Sequence, residues 1–237
     1  MKSALYSILA LSLAACTATD TVPSSGEPGL DSAMVVDPST MVPSDDRPTV
    51  VFLGTSLTAG LGLERAADTY VSVLAAMADS AGKPFRALNA GVSGETSAGG
   101  LRRLDWILRE PFDVLFLELG ANDGLRGQDP RALASNLTGI IRRTRTRYPD
   151  VRVVVAGMEA PPNLGDLYTS AFRSVFRAVA ESEETDLIPF LLDGVAGIPE
   201  LNQADRIHPT TEGHRRTAAN AWPVLEAVLD GVEKEGA

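Results

Sequence analysis

From residue 49 onward, short apolar runs alternate with longer stretches whose apolar residues recur every three or four positions. The runs at 49–53, 85–89, 114–118, 151–156 and 187–190 have strand length. The first, third and fourth are nearly unbroken Val, Leu, Ile and Phe, as strands covered on both faces require. Between them, 69–81, 96–108, 131–147, 167–181 and 211–229 carry helical stripes. Leu101, Leu104 and Leu108 form one, and Tyr168, Ala171, Phe172, Val175, Phe176 and Val179 another. Pro223 is placed to kink the last helix. Strand–helix alternation predicts right-handed crossovers and an α/β fold, a three-layer α/β/α sandwich on a five-stranded parallel sheet.

Before residue 49 the alternation is missing. Lys2 precedes an apolar stretch at 4–15, too short to span a bilayer as a mature helix. It ends Leu13-Ala14-Ala15-Cys16, which resembles a bacterial lipobox, where cleavage precedes the cysteine and lipid is attached to it. Cys16 is the only cysteine of the chain, so intrachain disulfides and cysteine chemistry elsewhere are excluded. Residues 17–48 are rich in Pro, Ser, Thr, Asp and Gly and read as a tether, with an end-to-end distance of roughly 30 Å. The expected organisation is a lipoprotein signal at 1–15, a lipidated Cys16 with its tether to 48, and a folded domain over 49–237. That places the domain in the cell envelope, facing the periplasm and membrane-held through Cys16. Thr17, in place of the Asp associated with inner-membrane retention, points to the outer membrane.

With 237 residues, 44% of them hydrophobic, the chain can bury one sizeable core. Its formal charge of −10 argues against nucleic acid as a partner, since such binding needs clustered Lys and Arg. Arg142, Arg143, Arg145 and Arg147 have no interleaved aromatics and read as a solvated helix face.

Ligands on a parallel sheet bind beyond the carboxyl ends of its strands, and there the polar motifs fall. Gly54-Thr55-Ser56-Leu57 follows the first run, Asn89-Ala90-Gly91-Val92-Ser93-Gly94 the second, Gly120-Ala121-Asn122-Asp123 the third; Asp205-Arg206-Ile207-His208 precedes the last helix. A serine hydroxyl attacks an acyl carbon only with a base beside it. His208, with an imidazole that titrates near neutrality, suits that role. Asp205, three residues earlier, can hold the other ring nitrogen. The backbone N–H groups of Ser56 and Gly94 and the Asn122 amide are candidate donors to an oxyanion.

Taken in order, these blocks resemble those of the SGNH (GDSL-type) hydrolases, especially their secreted bacterial branch of arylesterases, acyl-thioesterases and lysophospholipases. The match runs from Thr49 to about Leu229. The resemblance implies a flavodoxin-like fold, no metal or organic cofactor, Ser56 as nucleophile, His208 as base, Asp205 as its orienter, and an oxyanion hole of Ser56, Gly94 and Asn122. It implies small acyl esters, thioesters or lysophospholipids as substrates. Thr55 departs from the pattern: the family has Asp there, which is not the triad acid, so the departure bears on the hydrogen bonding that positions the Ser56 turn and leaves the mechanism intact; a threonine can still offer a hydroxyl. Other readings are a carbohydrate acetyl-esterase of the same fold and, in another class, a non-catalytic envelope binding lipoprotein. Met158 and Leu164, in the Pro- and Gly-marked loop after the fourth run, are candidate contacts for an acyl chain. His214 is expected to be a surface or structural residue, and Asp123 to support Asn122 without joining the catalytic set. Oligomeric state is not legible.

Overall fold

The computed structural model describes residues 46–235. The leader, Cys16 and the tether as far as residue 45 lie outside the described residues.

Five strands form one parallel sheet in the order β2-β1-β3-β4-β5: β1 (Thr49–Gly54), β2 (Arg86–Gly91), β3 (Val114–Glu118), β4 (Arg152–Ala156) and β5 (Asp186–Ile188). This is the flavodoxin-like order, with its switch point between β1 and β3, where crossovers leave in opposite directions and open a crevice. The central strands β1 and β3 are buried at every position, which is why they read as unbroken apolar runs. β2 runs two residues past its expected end, and β5 stops one residue short of Pro189, which has no N–H for the ladder.

The helices are α1 (Ser56–Ala59), α2 (Tyr70–Ser80), α3 (Ser97–Ile107), α4 (Ala121–Leu125), α5 (Pro130–Arg147), α6 (Asp166–Ser182) and α7 (Thr211–Glu235). Their starts follow from local chemistry. Thr69 accepts from the Ser72 N–H, Thr96 from the Gly99 N–H, and Asp129 from the Arg131 N–H ahead of Pro130. Helix α7 continues through Pro223. α2 packs on α7 along one face of the sheet, and α3, α5 and α6 pack in series along the other. Phe52 and Phe116, register partners on β1 and β3, bring their rings to 5.0 Å beneath Tyr70 of α2. The arginines of α5 are engaged at the surface: Arg142 pairs with Glu183, Arg143 with Asp105, and Arg147 lies over the Tyr148 ring.

Candidate active site

Strand β1 ends at Gly54, and the chain turns at once into α1 with Thr55 as its cap. Ser56 is therefore the first residue of a short helix lying across the ends of β1 and β2. Asn89 of β2 holds that helix from beneath, its amide donating to the Thr58 carbonyl at 2.6 Å while its own oxygen receives the Gly91 N–H.

His208 arrives from far along the chain, in the connection between β5 and α7. Its loop is bracketed. The Gln203 N–H donates to the His208 carbonyl at 2.7 Å, Asn202 bridges to Pro209, and the Gln203 side-chain amide donates to the carbonyls of both Leu61 and Pro209. The last pair ties the His208 loop to the segment that follows Ser56. Within this frame Asp205, Arg206, Ile207 and His208 make a tight turn in which Arg206 adopts a left-handed conformation, φ 61°. The Asp205 carboxylate receives the N–H groups of Ile207 and His208 through one oxygen and the His208 Nδ1–H, at 2.6 Å, through the other. The His208 side chain and those two N–H groups hold the Asp205 carboxyl down to about 2 although the residue is exposed. With Nδ1 carrying the proton, Nε2 is left to accept from Ser56 Oγ, 2.9 Å away. The structure thus brings Ser56, His208 and Asp205 into one hydrogen-bonded line across 152 residues of chain.

Gly94 and Asn122 close on the same point. Gly94 has φ 78°, a conformation that a side chain rarely tolerates, although the space around it is open. The Arg126 guanidinium donates to its carbonyl at 2.9 Å. The Asn122 amide donates one hydrogen to the Glu95 carbonyl at 3.0 Å, which fixes the side chain and leaves its second hydrogen available. Behind it Asp123 is buried and accepts from both the N–H and the hydroxyl of Ser97 at the start of α3. Asp123 thereby locks α4 to α3, next to the Gly94 turn, in keeping with a supporting position.

A cleft of about 270 Å³ opens over this cluster, lined by Ser56, Gly94, Asn122 and His208 together with Leu57, Leu61, Leu125, Leu192 and Ile207. Of the two residues expected to contact an acyl chain, Met158 is only 2% exposed and belongs to the hydrophobic core. Leu164 is exposed but is not in the cleft wall. The wall comes instead from the loops that carry Ser56, Asn122 and His208. Nothing in the sequence separates these leucines from core residues until the loops are placed, because apolar character alone does not report which side of a turn faces solvent. His214 is buried, its ring stacked 6.2 Å from that of Tyr70 and its Nδ1 accepting the Tyr70 N–H. Burial is the main cause that lowers its pKa to about 4, so it is a neutral interior group. Glu118 also escaped the sequence reading: a buried carboxylate at the end of β3, in contact with the Ser56 turn.

Comparison with known proteins finds relatives along most of the folded domain. Residues 52–216 match the GDSL-like lipase/acylhydrolase family. The chain is 41% identical to esterase TesA of Pseudomonas aeruginosa over 182 residues, covering 76% of this chain and 89% of that one. It is 34% identical to an arylesterase of Vibrio mimicus, covering 69% and 80%. Among solved structures, the psychrotrophic esterase EstA from a Pseudoalteromonas species, inhibited by monoethylphosphonate, superposes with a TM-score of 0.72. It is 30% identical and is matched over 77% of this chain and 99% of that one.

Proposed function

Since the chain belongs to the GDSL-like lipase/acylhydrolase family and is a hydrolase acting on ester bonds, we propose that Ser56, His208 and Asp205 carry out that hydrolysis through an acyl-enzyme, on apolar acyl esters or thioesters. Ser56 Oγ attacks the carbonyl carbon as its proton passes to His208 Nε2. Asp205 keeps the ring in the tautomer that can receive that proton and stabilises the imidazolium formed. The carbonyl oxygen, now anionic, takes the N–H groups of Ser56 and Gly94 and the free Asn122 hydrogen. The alcohol or thiol leaves with the proton from Nε2. Water then gives a proton to the same nitrogen and attacks the acyl carbon, and the acid departs.

The observation that carries this reading is the continuous line from Ser56 Oγ to His208 Nε2 at 2.9 Å and from Nδ1 to Asp205 at 2.6 Å. The apolar cleft wall supports acyl chains longer than acetyl, and the names of the relatives support ester substrates. The experiment is a panel of nitrophenyl esters and acyl-thioesters of rising chain length on residues 46–237, with fluorophosphonate labelling located by mass spectrometry. Label is expected on Ser56, with rates that increase beyond acetyl. Ser56→Ala is expected to lose at least about 10³-fold in turnover while its circular dichroism stays that of the parent. Substantial residual turnover would remove Ser56 as nucleophile. Acetate release from polysaccharide without hydrolysis of longer esters would select a carbohydrate acetyl-esterase.

Membrane attachment through Cys16 is part of the same proposal, supported by Leu13-Ala14-Ala15-Cys16 and by the single cysteine. Among the described residues no helix is long and apolar enough to cross a membrane. Cys16→Ser should move the full-length protein from the membrane fraction to the soluble one; retention would exclude this anchor.

A further inference from the structure

Glu118 closes β3 opposite Gly54 of β1, with no exposed surface. Among the described residues its carboxylate pairs with no cation and is held by hydrogen-bond donors. These are the Thr55 N–H at 2.8 Å, the Thr55 hydroxyl at 2.9 Å, the Thr58 N–H at 3.3 Å and the Thr58 hydroxyl at 2.8 Å. The Thr58 hydroxyl spends its one hydrogen on Glu118, so the Tyr70 hydroxyl, 2.7 Å away, must be the donor to Thr58. The fit is close: a Cβ on Gly54 would stand 2.6 Å from a Glu118 oxygen and 2.0 Å from the Thr58 hydroxyl.

These contacts decide which N–H of the nucleophile turn stays free. The Leu57 N–H goes to the Thr55 hydroxyl oxygen and the Thr58 N–H goes to Glu118. The Ser56 N–H alone of the three has no acceptor among the described residues. Other titratable or charged groups stand around the same turn. Tyr70 reaches Glu118 through Thr58, with His214 stacked behind it; Arg103, paired with Glu95, reaches the Gly54 carbonyl; His208 and Asp205 lie beyond Ser56.

We propose that Glu118, in its ionised form, is the positioning residue of the Ser56 turn, so that the reaction needs Glu118 unprotonated as well as His208 neutral. An ionised carboxylate only accepts, and its lone pairs can serve all four donors at once. Add a proton and one oxygen becomes a donor facing other donors. The two N–H groups cannot turn away, so a threonine hydroxyl must, and Thr55 also supports the Leu57 N–H. Thr55 is the residue that departs from the family pattern, and its hydroxyl hydrogen is what this carboxylate uses. An Asp at 55 would set a second carboxyl against Glu118 and force the pair to share a proton. Burial pushes Glu118 up to about 7 against the opposing pull of its threonine donors, so the change of state falls near neutral pH.

The proposal rests on Ser56 as nucleophile, and the test separates the two. It measures kcat and KM from pH 5 to 9 with a nitrophenyl ester for the parent, Glu118→Gln, Thr55→Val and Thr55→Ser, with thermal unfolding of each. The parent should lose kcat/KM at low pH through two protonations. Glu118→Gln should lower kcat about 10- to 100-fold with KM within about twofold, and should lose activity at low pH through one protonation. Thr55→Val should shift kcat in the same direction, and Thr55→Ser should restore it. A Gln variant with parental kcat, or one that keeps both protonations, would overturn the role. Should the Gln variant fail to fold, equal kcat in the Val and Ser variants would overturn it instead. Fluorophosphonate on Ser56 of the parent is read separately: its absence would sink the catalytic reading, whereas its presence with indifferent Glu118 and Thr55 variants would sink this one alone.

Discussion

Asn122 shows how a single side chain is prepared before any substrate arrives. One amide hydrogen is committed to the Glu95 carbonyl, so the rotamer is set and, in the proposed reaction, the other hydrogen needs no reorganisation to meet a developing charge. Asn122→Ala is expected to reduce kcat about 10²–10³-fold with little change in KM. Equal losses in binding of a ground-state analogue and in kcat/KM would show instead that the residue only holds substrate. Residues differ in how far the sequence reveals them. Ser56, Gly94 and Asn122 are polar or glycine positions just past apolar runs, His208 stands just before the last helix with Asp205 three residues ahead of it, and all but Asp205, which holds the His208 ring, line one cleft. Glu118 is harder to see, because it closes an apolar run and reads as the solvent end of a strand; its one signal is a charge placed where both neighbouring strands are buried. Met158 failed for the opposite reason. It follows β4 as a cleft residue would, but its side chain turns into the core.

At the scale of elements, the long helices and the central strands were legible because each repeats its period over several turns or lies buried on both faces. Cap residues even fix boundaries: Thr69, Thr96 and Asp129 each stand one residue before a helix. The two shortest helices were not legible. α1 has four residues and α4 five, too few for a hydrophobic period, and yet these two carry Ser56 and Asn122. Tertiary contacts hold them in place. Glu118 takes an N–H of α1, while Asp123 links α4 to the first residue of α3. Helices this short have no stability of their own in water, so the precision of the site derives from the strands and buried carboxylates beneath them.

Across the whole molecule, two buried titrating groups push stability in opposite directions. The folded pKa of Glu118 is raised from 4.5 to about 7. It therefore favours folding below the lower value and withdraws that support as pH rises through the upper one. His214 is lowered from 6.5 to about 4. The unfolded chain takes up its proton first, so stability is lost as pH falls through that window. Each effect is on the order of 3 kcal/mol, and between about pH 4.5 and 6.5 the slopes oppose. Urea unfolding of the parent should be nearly flat across that interval, while Glu118→Gln should gain stability with rising pH and His214→Gln should lose it. Parallel profiles for all three proteins would contradict the paired titration. The loop at 202–209 has a different kind of consequence. The groups proposed to receive a carbonyl oxygen come from connections after three adjacent strands, but the imidazole is delivered by a separate arm latched on by Gln203. Damage confined to that latch would leave a receptor that still recognises acyl groups and releases them unchanged. Relatives that lost turnover in this way would be found by what they retain on an affinity column, and a colorimetric assay would pass over them.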